Sequence, residues 1–335
     1  KWEDEGFLRV ANGDLVRATV SKLRRRKAKT KLTWVKGHNG CAGNEAVDHL
    51  ANDGGEKPTA DNISGKRDTA FMLSGAKLSS MTQSIAYRLI KRRKMEAPAY
   101  KAMLNRKATK RNMILAQQAV ADPSDDLPSV GKIWKSTKHK DISRSARFFL
   151  WMLIHDGYKV GRYWDKIVGH KQKATCNRCG ISESMAHILT QCDLPGQEAV
   201  WELASEVWKL KTGDDLPKPT TGQIMSCAAI KRHDAGTTRL YRILVSESAH
   251  LIWRLRCEQV IQEKPPASGH EIHNRWLSQI NNRLGLDRAM TNDHKYGKKA
   301  IKKSLVLKTW CKVLKNEDKL PKDWTWETEV LVGIG

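Results

Sequence analysis

Four potential metal ligands fall within the single stretch CNRCGISESMAHILTQC, from Cys176 to Cys192, spaced Cys-x2-Cys-x7-His-x4-Cys. No other feature of the chain limits its local folding as tightly. Thiolate and imidazole are the preferred ligands of Zn²⁺, and four of them at short spacing close one tetrahedral shell. The Cys-x2-Cys knuckle is expected to bend around the ion, with Gly180 directly after it to permit the turn. His187 and Cys192 are expected from the start and end of a following helix, SMAHILTQC. With Cys176, Cys179, His187 and Cys192 all engaged, no coordination position stays open, so the expected cofactor is a structural zinc. Two other readings stand beside it. One is a pair of buried thiols with an unrelated His. The other is a redox Cys-x-x-Cys, which needs a βαβ setting that the flanking sequence does not offer.

The remaining four of the seven cysteines, Cys41, Cys227, Cys257 and Cys311, are scattered singly. That pattern is unlike a disulfide framework and suits a reducing compartment, so an intracellular location, nucleus or cytoplasm, is expected. The longest apolar runs, such as RFFLWMLI, fall far short of a membrane-spanning helix. The N-terminus, KWEDEGFLRV, has no initiator Met and no targeting character, and it reads as a start in the middle of a pattern.

Charge narrows the partners. Sixty Lys and Arg against 36 Asp and Glu leave a formal net charge of +24. The excess is clustered in KLRRRKAKTK (22–31), KRRK (91–94), RKATKR (106–111) and KKAIKK (298–303). One such run is an ordinary solvated face, but several in one chain favour a polyanion, and nucleic acid is the commonest. Arg24, Arg25, Arg26 and Lys27 are the foremost candidate contacts. No basic run adjoins a lipidation signal or a strongly apolar helix, so a membrane surface is not the expected partner. The sequence sets no oligomeric state.

Composition shifts divide the chain into four expected segments: 1–56, a compact α/β pattern; 57–130, a basic helical linker; 131–212, a zinc-binding helical domain; and 213–335, a C-terminal helical region. In the first, Asn12 or Asp14 is expected to cap a helix carrying Leu15, Ala18, Thr19 and Leu23 on one face. KLTWVK (31–36) alternates and reads as a strand. A Gly-rich loop follows, then a helix expected to be capped by Asn44 and ended by Gly54–Gly55. In the last segment, RLYRILVSESAHLIWRLRCEQVIQE has apolar residues at helical spacing, and its Trp and Leu stripe reads as core. The ending, LKTWCKVLKNEDKLPKDWTWETEVLVGI, reads as a helix plus an extended tail docked on that core.

A helical Asp behind a mobile Gly/His loop makes chemical sense in a metal-dependent nuclease. There two divalent ions clamp the attacking and leaving oxygens, and a nearby His moves protons. Taken alone, His38 is a solvated loop residue and Asp48 an ordinary helix-face charge. The stretch WVKGHNGCAGNEAVDHLAN, however, resembles the C-terminal signature of the ribonuclease H family. Trp34, Val35, Gly37, His38, Gly40, Asn44, Glu45, Asp48, Leu50 and Ala51 match it in spacing. The resemblance extends upstream to KWEDEGFLRVANGDLVRATVSKL. It implies that His38 is the catalytic loop His and Asp48 the last of four Mg²⁺-binding carboxylates. It also implies an α/β fragment, the last strand plus flanking helices, which the helical patterns and the Cys/His spacing extend with mainly α-helical, zinc-stabilised segments.

The family's other three carboxylates lie on elements preceding the matched stretch, and Glu3, Asp4, Glu5 and Asp14 do not substitute for them. One carboxylate cannot organise two Mg²⁺ ions. A chain with Asp48 and His38 alone is therefore expected to cleave RNA–DNA hybrid weakly or not at all. The helix before the cysteines, with Trp151, Leu153, His155 and Val160, then Glu183 and the four ligands, resembles the zinc-binding region of reverse-transcriptase-related, non-LTR retroelement proteins. Two further classes stay open: a non-enzymatic nucleic-acid-binding remnant of a retroelement, and a protein-interaction adaptor.

Overall fold

The computed structural model describes residues 1–8, 10–37, 39–59, 76–99, 102, 105–121 and 126–334. The chain divides into two compact units, Lys1–Leu104 and Asn105–Gly335.

In the first unit, a series of turns over residues 1–8 leads to α1 (Gly13–Arg25), which is followed by α2 (Ala42–Glu56) and α3 (Gln83–Glu96). Phe7 is buried, with the Arg17 guanidinium 5.6 Å from its ring centre. Arg17 Nη2 also donates to the Gly6 carbonyl at 2.9 Å. Exposed ion pairs Arg24–Glu3 and Lys77–Asp4 tie the turn region to α1 and to the 76–82 connection, and Arg92–Asp14 ties α3 to α1. Pairs of this kind add little, because water screens them and long side chains lose freedom in forming them. Ile85, at the start of α3 behind the Thr82 cap, is the only buried residue on any of the three helices.

The strand expected at 31–36 does not form. Those residues carry no regular structure, and Leu32 and Trp34 are each 85% exposed. Among the described residues there is no sheet, only two isolated bridges, Thr175–Ser182 and Leu314–Val332. A strand satisfies its amides across a neighbour and buries alternate side chains there, and a lone segment gains neither. The same lack leaves α1 and α2 without a surface to cover: neither buries a residue, and Leu15, Leu23, Val47 and Leu50 face solvent. The α/β reading of residues 1–56 is therefore corrected to turns and two helices, with no regular structure over residues 31–36. Local details shift with it. Asn12 stands at the N-cap of α1 in a left-handed conformation and makes no side-chain cap bond. Asn44 lies inside α2, whose N-cap is Cys41, and α2 runs through Gly54 and Gly55.

The second unit holds the large core. Its longer helices are α4 (Lys107–Gln118), α5 (Val130–Ser136), α6 (Arg144–Ile154), α7 (Pro195–Thr212), α8 (Thr221–Met225), α9 (Ala235–Val260), α10 (Gly269–Ala289) and α11 (Lys303–Trp310). Hydroxyl and carboxylate caps set the starts of five: Ser129, Ser143, Thr220, Asp234 and Ser268 each accept from a first-turn amide. Helix α9 is buried around most of its circumference from Gly236 to Ile252, and α6, α7, α10 and α11 pack around it. The tail docks Trp324, Val330, Val332 and Ile334 onto the same core.

Several charged groups inside this core are paired. Arg239 of α9 is fully buried and makes a two-pronged pair with Asp287 of α10, whose Oδ2 also accepts from Trp310 Nε1 at 2.8 Å. Arg239 Nε reaches Asp141 at 3.0 Å. Burial alone would raise the Asp141 carboxyl, but His139, Arg239 and Arg242 outweigh it and hold the group well below the usual carboxylate range. Lys211 of α7 donates Nζ to the Lys308 and Cys311 carbonyls at 2.6 and 3.1 Å, capping the end of α11.

Candidate metal centre and N-terminal loop

The Cys/His stretch folds as a knuckle, a short bridge and a single π-turn. Thr175 and Ser182 bridge, the Cys176 amide donates to Ile181 at 2.8 Å, and the Gly180 amide donates back to Cys176 at 2.8 Å. Gly180 sits at φ +70, which only glycine reaches without strain, so the turn after Cys179 depends on it. The chain then enters the π-turn His187–Gln191, fixed at its start by Ser184 Oγ, which accepts from the His187 amide at 3.0 Å. Cys192 follows directly.

These elements bring Cys176, Cys179, His187 and Cys192 together, with their donor atoms all within 4.8 Å of one another. The sulfurs of Cys176 and Cys192 are 3.7 Å apart and those of Cys179 and Cys192 3.9 Å. A disulfide requires about 2.05 Å, so these are free thiols. Four ligands about 2.3 Å from one zinc ion lie roughly 3.8 Å apart along a tetrahedral edge, which agrees with both separations. His187 supplies the sharper test. It is 2% exposed, and neither ring nitrogen has a hydrogen-bond partner. A buried imidazole left in that state pays a desolvation cost with no return, and a metal on one nitrogen relieves it. Burial pushes the Cys192 thiol up to about 12, with the thiols of Cys176 and Cys179 adding to the effect. A divalent cation among three sulfurs reverses that preference and draws out the thiolates. The residues present fit a tetrahedral Zn²⁺ site with every position filled by protein. Such an ion would cross-link the knuckle to the π-turn and offer no reactive position.

Contacts around the ligands complete the site. The Asp193 amide lies 3.4 Å from Cys179 Sγ, as a donor to a metal-bound thiolate would. A side chain at Gly161 would run into the Glu183 carbonyl, so the 158–161 turn lies directly against the bridge. Glu183 and Arg256 of α9 form a buried ion pair, each side chain 3% exposed, and the Arg256 guanidinium lies 5.5 Å from the Trp253 ring centre. Sequence reasoning placed Glu183 in the motif but missed Arg256. The pair joins residues 73 positions apart, and no local pattern announces it.

The second candidate site assembles less. Asp48 lies on α2 behind a loop in which the Gly40 amide donates to Glu45 Oε1 at 3.1 Å. His38 lies outside the described residues. Among the described residues the Cys/His group is the only cluster of three or more His, Cys, Asp or Glu side chains placed to hold a metal, and Asp48 belongs to none. The residues described here therefore do not fit a two-Mg²⁺ site. Of the basic run, Arg24 pairs with Glu3 at 2.6 Å, while Arg26 and Lys27 continue exposed past the end of α1. Arg25 ends the helix, also exposed.

Comparison with known families locates one region. Residues 1–56 match the family model described as RNase H, which marks this stretch, Asp48 included, as an RNase H family region. No curated protein and no solved structure matches the chain. No helix among the described residues is long and apolar enough to cross a membrane.

Proposed function

We propose that this chain joins part of a ribonuclease H-type nuclease domain to a zinc-stabilised, basic helical unit that holds nucleic acid. The observation that carries the reading is the family match over residues 1–56, which contain Asp48 within a loop-and-helix signature. In a complete domain of this type, Asp48 would be one of several metal-binding carboxylates and His38 would assist proton transfer or product release during cleavage of the RNA strand of a hybrid. Such a site needs convergent carboxylates, and here Asp48 stands outside any acidic cluster among the described residues. The chain alone is therefore a binder of RNA–DNA hybrid with little or no cleavage. The same observation favours the alternative, a non-enzymatic nucleic-acid-binding remnant of a retroelement, and the net charge of +24 serves either.

One experiment tests both the binding and the inactivity. The purified chain is incubated with labelled RNA–DNA hybrid and Mg²⁺ over a range of salt, with binding and cleavage both recorded. Salt-sensitive binding without cleavage is expected, and cleavage that Asp48→Asn abolishes would overturn the claim of inactivity. No binding at low salt would sink the nucleic-acid reading altogether. Metal analysis of the same preparation should return one zinc per chain, and a folded protein with essentially none would remove the structural-zinc proposal.

A further inference from the structure

Helix α6 has two unlike faces. Ala146, Phe149, Leu150, Leu153 and Ile154 are buried in the core. On the other side, Arg144, Phe148, Trp151 and His155 recur at intervals of four, three and four residues, so they form one stripe along the helix. Phe148 is 62% exposed and Trp151 43%. Their rings lie nearly parallel, 6.3 Å apart at 22°. The series continues inward: Trp151 meets His155 edge-on at 4.5 Å, and His155 stacks on Trp134 of α5 at 5.0 Å and 26°. Thr109 of α4 fixes the imidazole through Nδ1 at 3.2 Å. Aromatic side chains so exposed give up burial that the adjacent core would have provided, yet their neighbours hold them in a fixed ladder whose outer end is open.

The three helices that build this ladder carry charge of one sign. Helices α4, α5 and α6 carry Lys107, Lys110, Arg111, Lys132, Lys135, Arg144 and Arg147, and not one Asp or Glu. Among the described residues only Arg111 forms an ion pair, with Asp156 at 4.0 Å. A ladder of flat rings selects flat ligands, and unpaired cations beside it select a polyanion. A strand with unpaired bases supplies both at once, while a duplex keeps its base faces covered.

We propose that Phe148 and Trp151 form a base-stacking platform for single-stranded nucleic acid, with the cations of α4–α6 tracking its phosphates. The platform uses residues of the second unit alone, so it stands or falls separately from the role given to Asp48.

The test uses the full chain and two labelled oligonucleotides of equal length and charge, an oligothymidylate and its fully abasic counterpart, in fluorescence anisotropy. Stacking predicts that the oligothymidylate binds tighter by about ten-fold. Phe148→Ala with Trp151→Ala should erase that difference and leave abasic binding unchanged. Phe148→Tyr with Trp151→Phe should restore it. Unchanged helicity and zinc content would show that both variants fold. Equal binding of the two oligonucleotides by the unaltered chain overturns the proposal, as does a difference that the Ala pair leaves intact. So does loss of binding to phosphatidylserine vesicles in the Ala pair with oligothymidylate binding untouched, which would assign the rings to a membrane surface. Failure of every Asp48 experiment would leave the expected oligothymidylate preference in place.

Discussion

Breaking the buried Glu183–Arg256 pair should loosen the metal centre from the core, and the size of the effect follows from its surroundings. Both side chains are 3% exposed, so removing either partner strands the other where water cannot reach it. At an effective dielectric constant near 20, opposite charges about 4 Å apart attract by roughly 4 kcal/mol. Truncating one member of such a pair costs about 3–5 kcal/mol, mostly as the penalty of the charge left behind. Arg256→Met and Glu183→Leu should each show a loss of that order. The double variant should not show their sum, because it leaves no orphaned charge. Its residual loss is set by the Arg256 contact over Trp253, worth about 0.5–2 kcal/mol. An offset comes from the Arg256 Nη1, which is buried without a partner and whose removal is favourable. The net for the double variant is about 0–2 kcal/mol, giving a coupling of several kcal/mol.

Urea unfolding of the four proteins in a double-mutant cycle measures this coupling. A second readout ties it to the metal. The Glu183 amide donates to Ala174 at 2.9 Å, so the residue is part of the bridge carrying Cys176, and the single variants should release zinc faster to a chromogenic chelator. Additive single effects, with coupling below about 0.5 kcal/mol, would refute the claim that the pair acts as a unit. Strong coupling with unchanged zinc release would refute the claim that it anchors the metal centre.

Two other outcomes follow from the same kind of accounting. Burial, helped by Arg254, holds His250 down to about 4, so the fold favours its neutral form. Its contribution is complete above the unfolded value near 6.5 and is lost as pH falls toward 4. His250→Phe should therefore flatten the decline in urea midpoint across that window relative to the unaltered chain, and parallel pH profiles would contradict the assignment. Trp34→Ala should change stability by less than about 0.5 kcal/mol, because the ring is 85% exposed. A loss above about 1 kcal/mol in thermal unfolding would mean that residues 31–36 are packed after all.

What could be read from the residues was what is local. The four ligands were legible because all of them, and the glycine that turns the knuckle, lie between Cys176 and Cys192. The long helix at Ala235–Val260 was legible because its apolar periodicity is internal to it. The 31–36 strand failed for the opposite reason. Alternation in KLTWVK states which side chains would face a sheet, but strand structure exists only when a neighbour accepts its amides, and that neighbour is not written in those residues. Arg256 was invisible on the same ground: its partner is reached across the core, and in the sequence it is one more cation on a helix already rich in them.

The aromatic helix α6 shows a third kind of limit. Read as RFFLWMLI, it offers hydrophobic residues on every side, so periodicity cannot say which rings are core and which are left outside. The structure divides them: Phe149 goes in, and Phe148 and Trp151 stay out beside arginines. The division follows from the order of packing constraints. Asn112 of α4 donates to the Leu153 and Ile154 carbonyls at 3.2 and 3.3 Å, and His155 is held between Thr109 and Trp134. Those contacts fix the rotation of α6 about its axis. A turn of 100° would bury Phe148 in place of Phe149, but it would break both Asn112 hydrogen bonds and withdraw His155 from its stack. The exposed ladder is thus held by buried hydrogen bonds rather than tolerated as a loose surface. That is the physical reason to look for a ligand there.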